Sequence, residues 1–300
     1  LPFNHFHAED NFLGADTKPK IEKEGADFAM ATDPDADRLG VALRTGKGDY
    51  VLLNGNQTLV LLMSYQLTRW AELGKITGKE YVVKTIVTSM MPDTVAEHFG
   101  VKCYNCLTGF KYIAKIIREQ EGITKYIGGG EESFGYLPGD FVRDKDGVAA
   151  ITLVAEAAAW ARETMGITLY EWLQQLYVKY GFFREGLVNV VRKGKDGAAE
   201  IQQMMVDYRQ TPPKSLLGSP IVKILDYKTL EELDVRSGEK RPIEGIDDKS
   251  NVLQWITEDG TKVSVRPSGT EPKIKFYFGV KAPLCCVEDF EKVEKQLDDK

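Results

Sequence analysis

The sequence predicts an α/β chain: the end of one α/β domain, a complete three-layer α/β domain, and a smaller α+β C-terminal domain. Three observations lead there. Between residues 26 and 180, short β-branched or apolar runs alternate with longer segments whose apolar residues recur at helical spacing, the pattern of a parallel sheet covered by helices. Near Tyr180-Gly181 the composition shifts, and short strands dominate from there on. The length of 300 residues accommodates about two domains, and a hydrophobic content of 43% is enough for their cores. The boundaries read as 1–50, 51–180 and 181–300.

Taken in order, residues 1–25 are polar and irregular, with Glu22 to Gly25 ending a helix at a glycine. Ala26–Met30 and Leu39–Leu43 read as buried strands either side of an acidic loop. From Asn54 to Leu73, Leu59, Leu62, Met63, Leu67 and Trp70 recur at helical spacing, and Gly74 stops the helix. Tyr81–Val87 is β-branched and continuous, a buried strand. Pro92–Phe99 is a short helix with proline near its first turn and Gly100 as its cap. Val101–Tyr104 is a strand, Phe110–Glu121 a helix, and Lys125–Ile127 a strand running into Gly128-Gly129-Gly130. Val148–Thr164 and Leu169–Tyr180 are helices. Beyond 180, Gly194–Asp207 is a helix, then Ile221–Asp226, Val252–Thr257, Lys262–Val265 and Lys273–Val280 are strands, and Val287–Leu297 is the closing helix.

Composition excludes several classes. A net charge of −6 argues against nucleic-acid binding, which rests on basic patches. No apolar stretch reaches the ~18 residues of a membrane helix; Val148–Ala161 is broken by Thr152 and Glu156. Leu1-Pro2-Phe3-Asn4-His5 has neither a basic nor an apolar signal region. With no initiator Met, the chain reads as a piece or a processed form. Of the four cysteines, Cys103 and Cys106 have C-x-x-C spacing, but no second pair completes a zinc site. Free thiols and a cytoplasmic location are expected. His5 and His7 stand two apart, a surface coincidence rather than a ligand pair.

Four loops carry the chemistry. In Asp33-Pro34-Asp35-Ala36-Asp37-Arg38, three carboxylates sit at alternate positions, with an arginine next to them. Pro34 stiffens the loop. Oxygen donors without Cys or His favour a hard cation, Mg²⁺ before Ca²⁺. An EF-hand fails, because its sixth and twelfth positions would hold Arg38 and Arg44 in place of glycine and glutamate. Arg38 suits an anionic substrate. Three oxygens on a loop at the C-terminal end of a strand fit the place where open α/β sheets bind ligands.

In the second loop, Thr108 is an expected helix N-cap, followed by Gly109 and by Lys111 one turn in, a helix start that attracts anions. In the third, Gly128-Gly129-Gly130-Glu131-Glu132-Ser133-Phe134-Gly135, glycines let a ligand approach, and Glu131 and Ser133 offer oxygens to sugar hydroxyls. Just beyond, Arg143 and Lys145 flank Asp144. Burial beside Arg143 would lower the Lys145 pKa and suit it to proton transfer. In the fourth, Arg266 offers a fork to phosphate, Ser268 and Thr270 offer hydroxyls, Gly269 allows a nest of backbone N–H groups, and Lys273 adds charge.

Together these loops resemble those of the α-D-phosphohexomutase family, which includes phosphoglucomutase and phosphomannomutase. The acidic loop resembles the family's metal loop, Gly130–Gly135 its sugar-recognition loop and Arg266–Thr270 its phosphate loop, in the family's order. Glu131–Tyr136 with Arg143–Asp146 is closest to the phosphoglucomutase and phosphopentomutase branch. The resemblance implies that residues 1–50 are the end of mutase domain 2, 51–180 domain 3 and 181–300 domain 4. It implies Mg²⁺ on Asp33, Asp35 and Asp37, catalytic roles for Arg38 and Lys145, and sugar contacts from Thr108, Gly109, Lys111, Glu131, Ser133 and Arg143. It implies phosphate held by Arg266, Ser268, Gly269, Thr270 and Lys273, with hexose phosphate and hexose 1,6-bisphosphate as partners. The family's phosphoserine sits in a Thr-Ala-Ser-His-Asn-Pro loop. No Ser-His-Asn occurs in these 300 residues, so the chain alone is expected to bind without turnover. With phosphoglucomutase the favoured activity, the alternatives are a phosphomannomutase or phosphopentomutase of the same family, a non-catalytic sugar-phosphate sensor, and a Ca²⁺-stabilised structural protein.

Overall fold

The computed structural model describes residues 18–192, 196–269 and 271–300. His5, His7 and Thr270 lie outside them. The chain divides into two compact units, Leu1–Tyr180 and Gly181–Lys300.

The first unit holds two sheets. Helix α1 (Lys18–Glu24) leads into an antiparallel sheet of β1 (Phe28–Thr32), β2 (Leu39–Arg44) and β3 (Tyr50–Leu52). The second sheet has the order β5-β4-β6-β7, from β4 (Glu80–Thr85), β5 (Lys102–Cys106), β6 (Lys125–Glu131) and β7 (Gly135–Leu137). β4 runs parallel to both β5 and β6, while β6 and β7 form an antiparallel hairpin. Its helices are α2 (Gly55–Glu72), α3 (Met91–His98), α4 (Phe110–Glu119), α5 (Gly147–Met165) and α6 (Leu169–Tyr180).

Local chemistry sets the helix ends. Asn54 accepts from the Gln57 backbone N–H while the Gln57 side chain accepts from Asn54 N–H, a reciprocal capping box for α2. The Asp146 carboxylate caps α5 through Ala149 N–H (2.8 Å), and Gly166, at φ +70°, stops it. All six residues of β4 are buried, as a strand covered on both faces requires. Tyr81 and Val83 pack with Phe110, Ile113 and Ile117 of α4. Lys84, on the alternate face of the strand, pairs with Asp93 of α3.

The second unit is an antiparallel sheet of eight strands. Seven follow the order β12-β11-β10-β13-β14-β15-β8, and β9 pairs β10. They are β8 (Phe182–Val191), β9 (Ser215–Leu216), β10 (Ser219–Asp226), β11 (Glu231–Asp234), β12 (Lys240–Pro242), β13 (Leu253–Thr257), β14 (Lys262–Pro267) and β15 (Lys273–Ala282). Helix α7 (Gly197–Gln210) covers this sheet through Ile201 and Met205, which meet Ile221, Trp255, Val263 and Ile274. Phe290 of α8 (Phe290–Asp298) stacks on Phe182, ring centroids 4.8 Å apart.

Candidate functional site

The acidic loop is the tip of the β1–β2 hairpin, where Thr32 pairs with Leu39. The loop follows the C-terminal end of β1, but the sheet there is an antiparallel hairpin and not the open α/β sheet expected. The Asp33 carboxylate closes the tip by accepting from the backbone N–H groups of Asp37 and Arg38, both at 3.2 Å. Ala36 takes a left-handed φ of +56° to make the turn.

This tip is fastened to the carboxylate-bearing hairpin. Leu39 N–H donates to Phe134 O (3.0 Å), and Arg38 forms a β-bridge with Gly135. Gly147 N–H donates to Ala36 O (3.0 Å), bringing the start of α5 to the same place. Lys145, just before it, places Nζ 3.1 Å from Asp37 Oδ2 and 3.0 Å from Asp144 Oδ1. The Phe110 ring lies 5.4 Å from that ammonium, so the start of α4 borders the same region. Asp33, Asp37, Arg38, Glu131 and Lys145 are therefore neighbours across three hairpin and helix ends of the first unit.

Glu131 is buried at the end of β6. Burial raises its pKa above the ordinary 4.5, and the adjacent Glu132 charge adds to the rise. Lys145, the Ser133 hydroxyl and Arg38 act in the opposite direction. Glu132 points elsewhere: Thr85 and Thr88, at the end of β4, donate to its Oε2 at 3.0 and 3.3 Å. Thr85 was hidden within Tyr81–Val87, read simply as buried strand, and Thr88 follows directly after that stretch. Their signal is a pair of hydroxyls three apart at its end.

The raised Glu131 pKa has a definite linkage sign. The folded state holds this proton more tightly than the unfolded chain does, so stability falls as pH rises from 4.5 through the raised value. Melts across that range should show Glu131→Gln losing less stability than the parent; equal slopes would contradict the assignment.

Several expectations are corrected. Lys145 is a held cation, its pKa raised rather than lowered: burial pulls it down, but hydrogen bonds to Asp144 and Asp37 outweigh that. Arg143 does not neighbour it usefully; its guanidinium pairs with Glu121 at 3.2 Å. Glu121 follows α4 near the start of β6, whereas Glu131 is the last residue of β6, about 20 Å along the strand. The cap of α4 is Gly109 at φ +118°, a conformation glycine takes cheaply, and not Thr108. The Thr108 hydroxyl oxygen is buried without a hydrogen-bond partner among the described residues. Lys111 lies over the Tyr112 ring at 4.8 Å.

Gly128, Gly129 and Gly130 do not open the backbone to a ligand. They are buried inside β6, where a Cβ would stand 2.2 Å from Gln66 Oε1, 2.2 Å from Val83 O and 2.1 Å from Gly135 O respectively. Close packing is the reason for the three glycines.

In the second unit, Arg266, Ser268, Gly269 and Lys273 surround the tip of the β14–β15 hairpin. Ser268 N–H donates to Lys273 O (2.8 Å), and Ser268 Oγ accepts from Glu271 N–H (3.3 Å). The Lys273 ammonium pairs with Glu271 of its own turn. Gly269 lies outside the left-handed region, with open space beside it.

The donor chemistry of the acidic tip, all carboxylate oxygen, fits a hard divalent cation. The side-chain positions hold a lysine instead: Asp33 is turned to backbone N–H groups, Asp37 to Lys145, and Asp35 is exposed. Among the described residues no three His, Cys, Asp or Glu side chains are gathered closely enough to hold a metal. No helix of the described residues is long and apolar enough to cross a membrane.

This is an α/β unit that joins an acidic hairpin to a glutamate hairpin at its sheet ends, followed by an antiparallel α+β unit. Comparison with known proteins makes the class specific. Residues 54–180 match the model of the phosphoglucomutase/phosphomannomutase alpha/beta/alpha domain III, and residues 187–283 match that of the C-terminal domain. The chain belongs to the phosphoglucomutase/phosphomannomutase family and corresponds to its C-terminal portion.

A phosphoglucomutase of Staphylococcus aureus (strain N315) is 35% identical over 276 residues, 92% of this chain and 48% of the relative. The chain spans about half the length of the curated relatives it matches. Among solved structures, parafusin, a phosphoglucomutase from Paramecium in its open form, superposes with a TM-score of 0.61 at 17% identity, covering 100% of this chain and 49% of that one. A phosphoglucomutase/phosphomannomutase family protein from Burkholderia thailandensis gives 0.56 at 16% identity, covering 97% and 50%. These two likenesses concern the fold.

Proposed function

We propose that this chain is the substrate-gripping portion of a phosphohexomutase, an isomerase acting as an intramolecular phosphotransferase, with phosphoglucomutase the favoured activity. It would move a phosphoryl group between the 1- and 6-positions of a hexose phosphate, using a phosphoserine outside these 300 residues and a hexose 1,6-bisphosphate intermediate. The observation that carries this reading is the fastening of the Asp33–Arg38 tip to the Glu131–Gly135 hairpin through Leu39 N–H, Phe134 O and the Arg38–Gly135 bridge. Family membership supplies the reaction class, and the 35% identity to a phosphoglucomutase favours glucose over mannose or pentose phosphates.

In this reading Asp33, Asp35 and Asp37 would hold Mg²⁺, which when bound neutralises charge developing on the transferred group. Arg38 offers a second cationic contact to that group. Glu131 and Ser133 grip sugar hydroxyls in both orientations of the bisphosphate. Thr108, Gly109 and Lys111 border the sugar. Lys145 serves as an ammonium that holds an anionic oxygen rather than as a proton shuttle. Arg266, Ser268, Gly269, Thr270 and Lys273 would hold the phosphate that is not reacting. That role requires Lys273 to exchange Glu271 for the ligand. Arg143 would need to leave Glu121 to take any part. The four free thiols favour a cytoplasmic protein.

The absence of Ser-His-Asn from the sequence favours binding without turnover for the chain on its own. Titration of residues 1–300 with glucose 1,6-bisphosphate in Mg²⁺ should show binding that Glu131→Gln weakens about ten-fold or more, the range of a hydrogen bond to a charged group. The same preparation should not convert glucose 1-phosphate to glucose 6-phosphate. No binding, or Glu131→Gln binding as tightly as the parent, would sink the grip. Robust conversion abolished by Glu131→Ala would overturn the inactivity.

A further inference from the structure

We propose that Lys145 is a built-in counter-ion of the acidic hairpin, competing with the divalent cation for Asp37 and thereby coupling metal binding to binding of an anionic substrate. The inference rests on the reading of Asp33, Asp35 and Asp37 as a metal loop.

The ammonium is placed there by construction. Its side chain is only 12% exposed, with Nζ 3.1 Å from Asp37 Oδ2. Its stem runs in a slot that exists because residue 135 lacks a Cβ: one there would stand 2.5 Å from Lys145 Cδ and 2.9 Å from Cγ. The backbone on both sides is fixed. Lys145 N–H donates to Asp144 Oδ1 (2.8 Å), Asp146 N–H to Tyr136 O (3.0 Å), and Gly147 N–H to Ala36 O (3.0 Å). Gly147 is itself a close fit, since a Cβ would stand 2.7 Å from Ala36 O. A surface lysine that strayed onto a carboxylate would not need a glycine slot and two interlocked backbone segments.

One carboxylate cannot serve an ammonium and a divalent cation at full strength, because the two cations repel across a few ångströms in a partly buried site. Metal on Asp37 therefore loosens Lys145 from it, leaving Asp144, at 3.0 Å, as the carboxylate that still holds the ammonium. The released ammonium attracts an anionic oxygen such as a phosphate of the sugar. By linkage, the substrate anion then tightens the metal to the same extent, so the two ligands load as a pair.

The test is Mg²⁺ titration calorimetry on the full chain without sugar, repeated with Mn²⁺ and followed by the Mn²⁺ paramagnetic resonance signal. Lys145→Met should bind either ion about ten-fold more tightly than the parent, equivalent to about 1.4 kcal/mol. Lys145→Arg, which keeps the charge, should stay within about two-fold of the parent, well under one decade. Added glucose 1,6-bisphosphate should tighten metal in the parent but much less in Lys145→Met. Unchanged or weaker metal affinity in Lys145→Met, with binding abolished by Asp35→Asn, would overturn the counter-ion role while leaving the metal loop standing. No metal binding in the parent or in Lys145→Met would overturn both.

Discussion

Alanine at position 55 is expected to destabilise the first unit by about 3 kcal/mol, the upper part of the range for overpacking a well-filled site. Intrinsic preference predicts the opposite sign, because Gly→Ala in a helix gains about 1 kcal/mol. Gly55 opens α2, and a Cβ there would stand 2.0 Å from Glu132 O and 2.6 Å from Phe134 N. Both are backbone atoms, so no side chain can swing away. The strand-end hairpin would have to move, and it is already constrained, with Phe134 at φ +67° and its carbonyl fastened to Leu39 N–H. Glu131 and Ser133 ride on that hairpin, so sugar-phosphate affinity should fall along with stability. Gly46→Ala is the control: nothing lies within 4 Å of its Cβ position, and its effect should stay within about 0.5 kcal/mol. Urea unfolding of the two variants measures the difference. Gly55→Ala as stable as Gly46→Ala would mean that the hairpin does not press on the start of α2.

The contrast between these glycines shows what a sequence reveals and what it hides. Helices were legible where local chemistry decides them: the apolar stripe that begins after Asn54 and stops before Gly74, and Pro92 in a first turn with Gly100 just past the end. The acidic tip and the glutamate hairpin stood out because carboxylates at alternate positions and glycines in a row are rare without a reason. The reason for the glycines was legible only in three dimensions, since their neighbours Gln66, Val83 and Gly135 come from different elements.

Strand β8 escaped notice because Leu187, Val188 and Val191 are apolar and exposed, which blurs the two-residue alternation that marks a half-buried strand. Strands β11 and β12 are short and charged, and cross-strand ion pairs such as Lys240 with Glu231 (3.3 Å) accompany them. Arg143 and Lys145 sit two apart in sequence, yet one pairs with Glu121 and the other with Asp37. Spacing alone cannot say which way successive side chains of an irregular loop will turn.

Lys84 was hidden by its company, a charge in the middle of Tyr81–Val87, and it yields the second large effect. Its side chain is 2% exposed, and Nζ lies 3.1 Å from Asp93 Oδ2. Asn105 Nδ2 donates to the other oxygen of Asp93 (3.1 Å). Asp93 is also in the first turn of α3, where a negative charge is favoured. Removing one partner of a buried pair strands the other, and the two halves of this pair are not equally buried. Asp93→Ala leaves an ammonium in the sheet interior without its carboxylate, and should cost about 3 kcal/mol, the low end for a buried pair.

That lower end is appropriate because the Asp93 side chain is 38% exposed, so water can enter beside it. Lys84→Met removes the buried charge and leaves a carboxylate that water already reaches, so it should be near neutral, within about 1 kcal/mol. The double variant should then be markedly more stable than Asp93→Ala alone. Chemical unfolding of the three proteins decides it. If Lys84→Met costs as much as Asp93→Ala, the ammonium is held by more than this carboxylate, and Lys84 contributes to the packing of β4 rather than merely tolerating burial there.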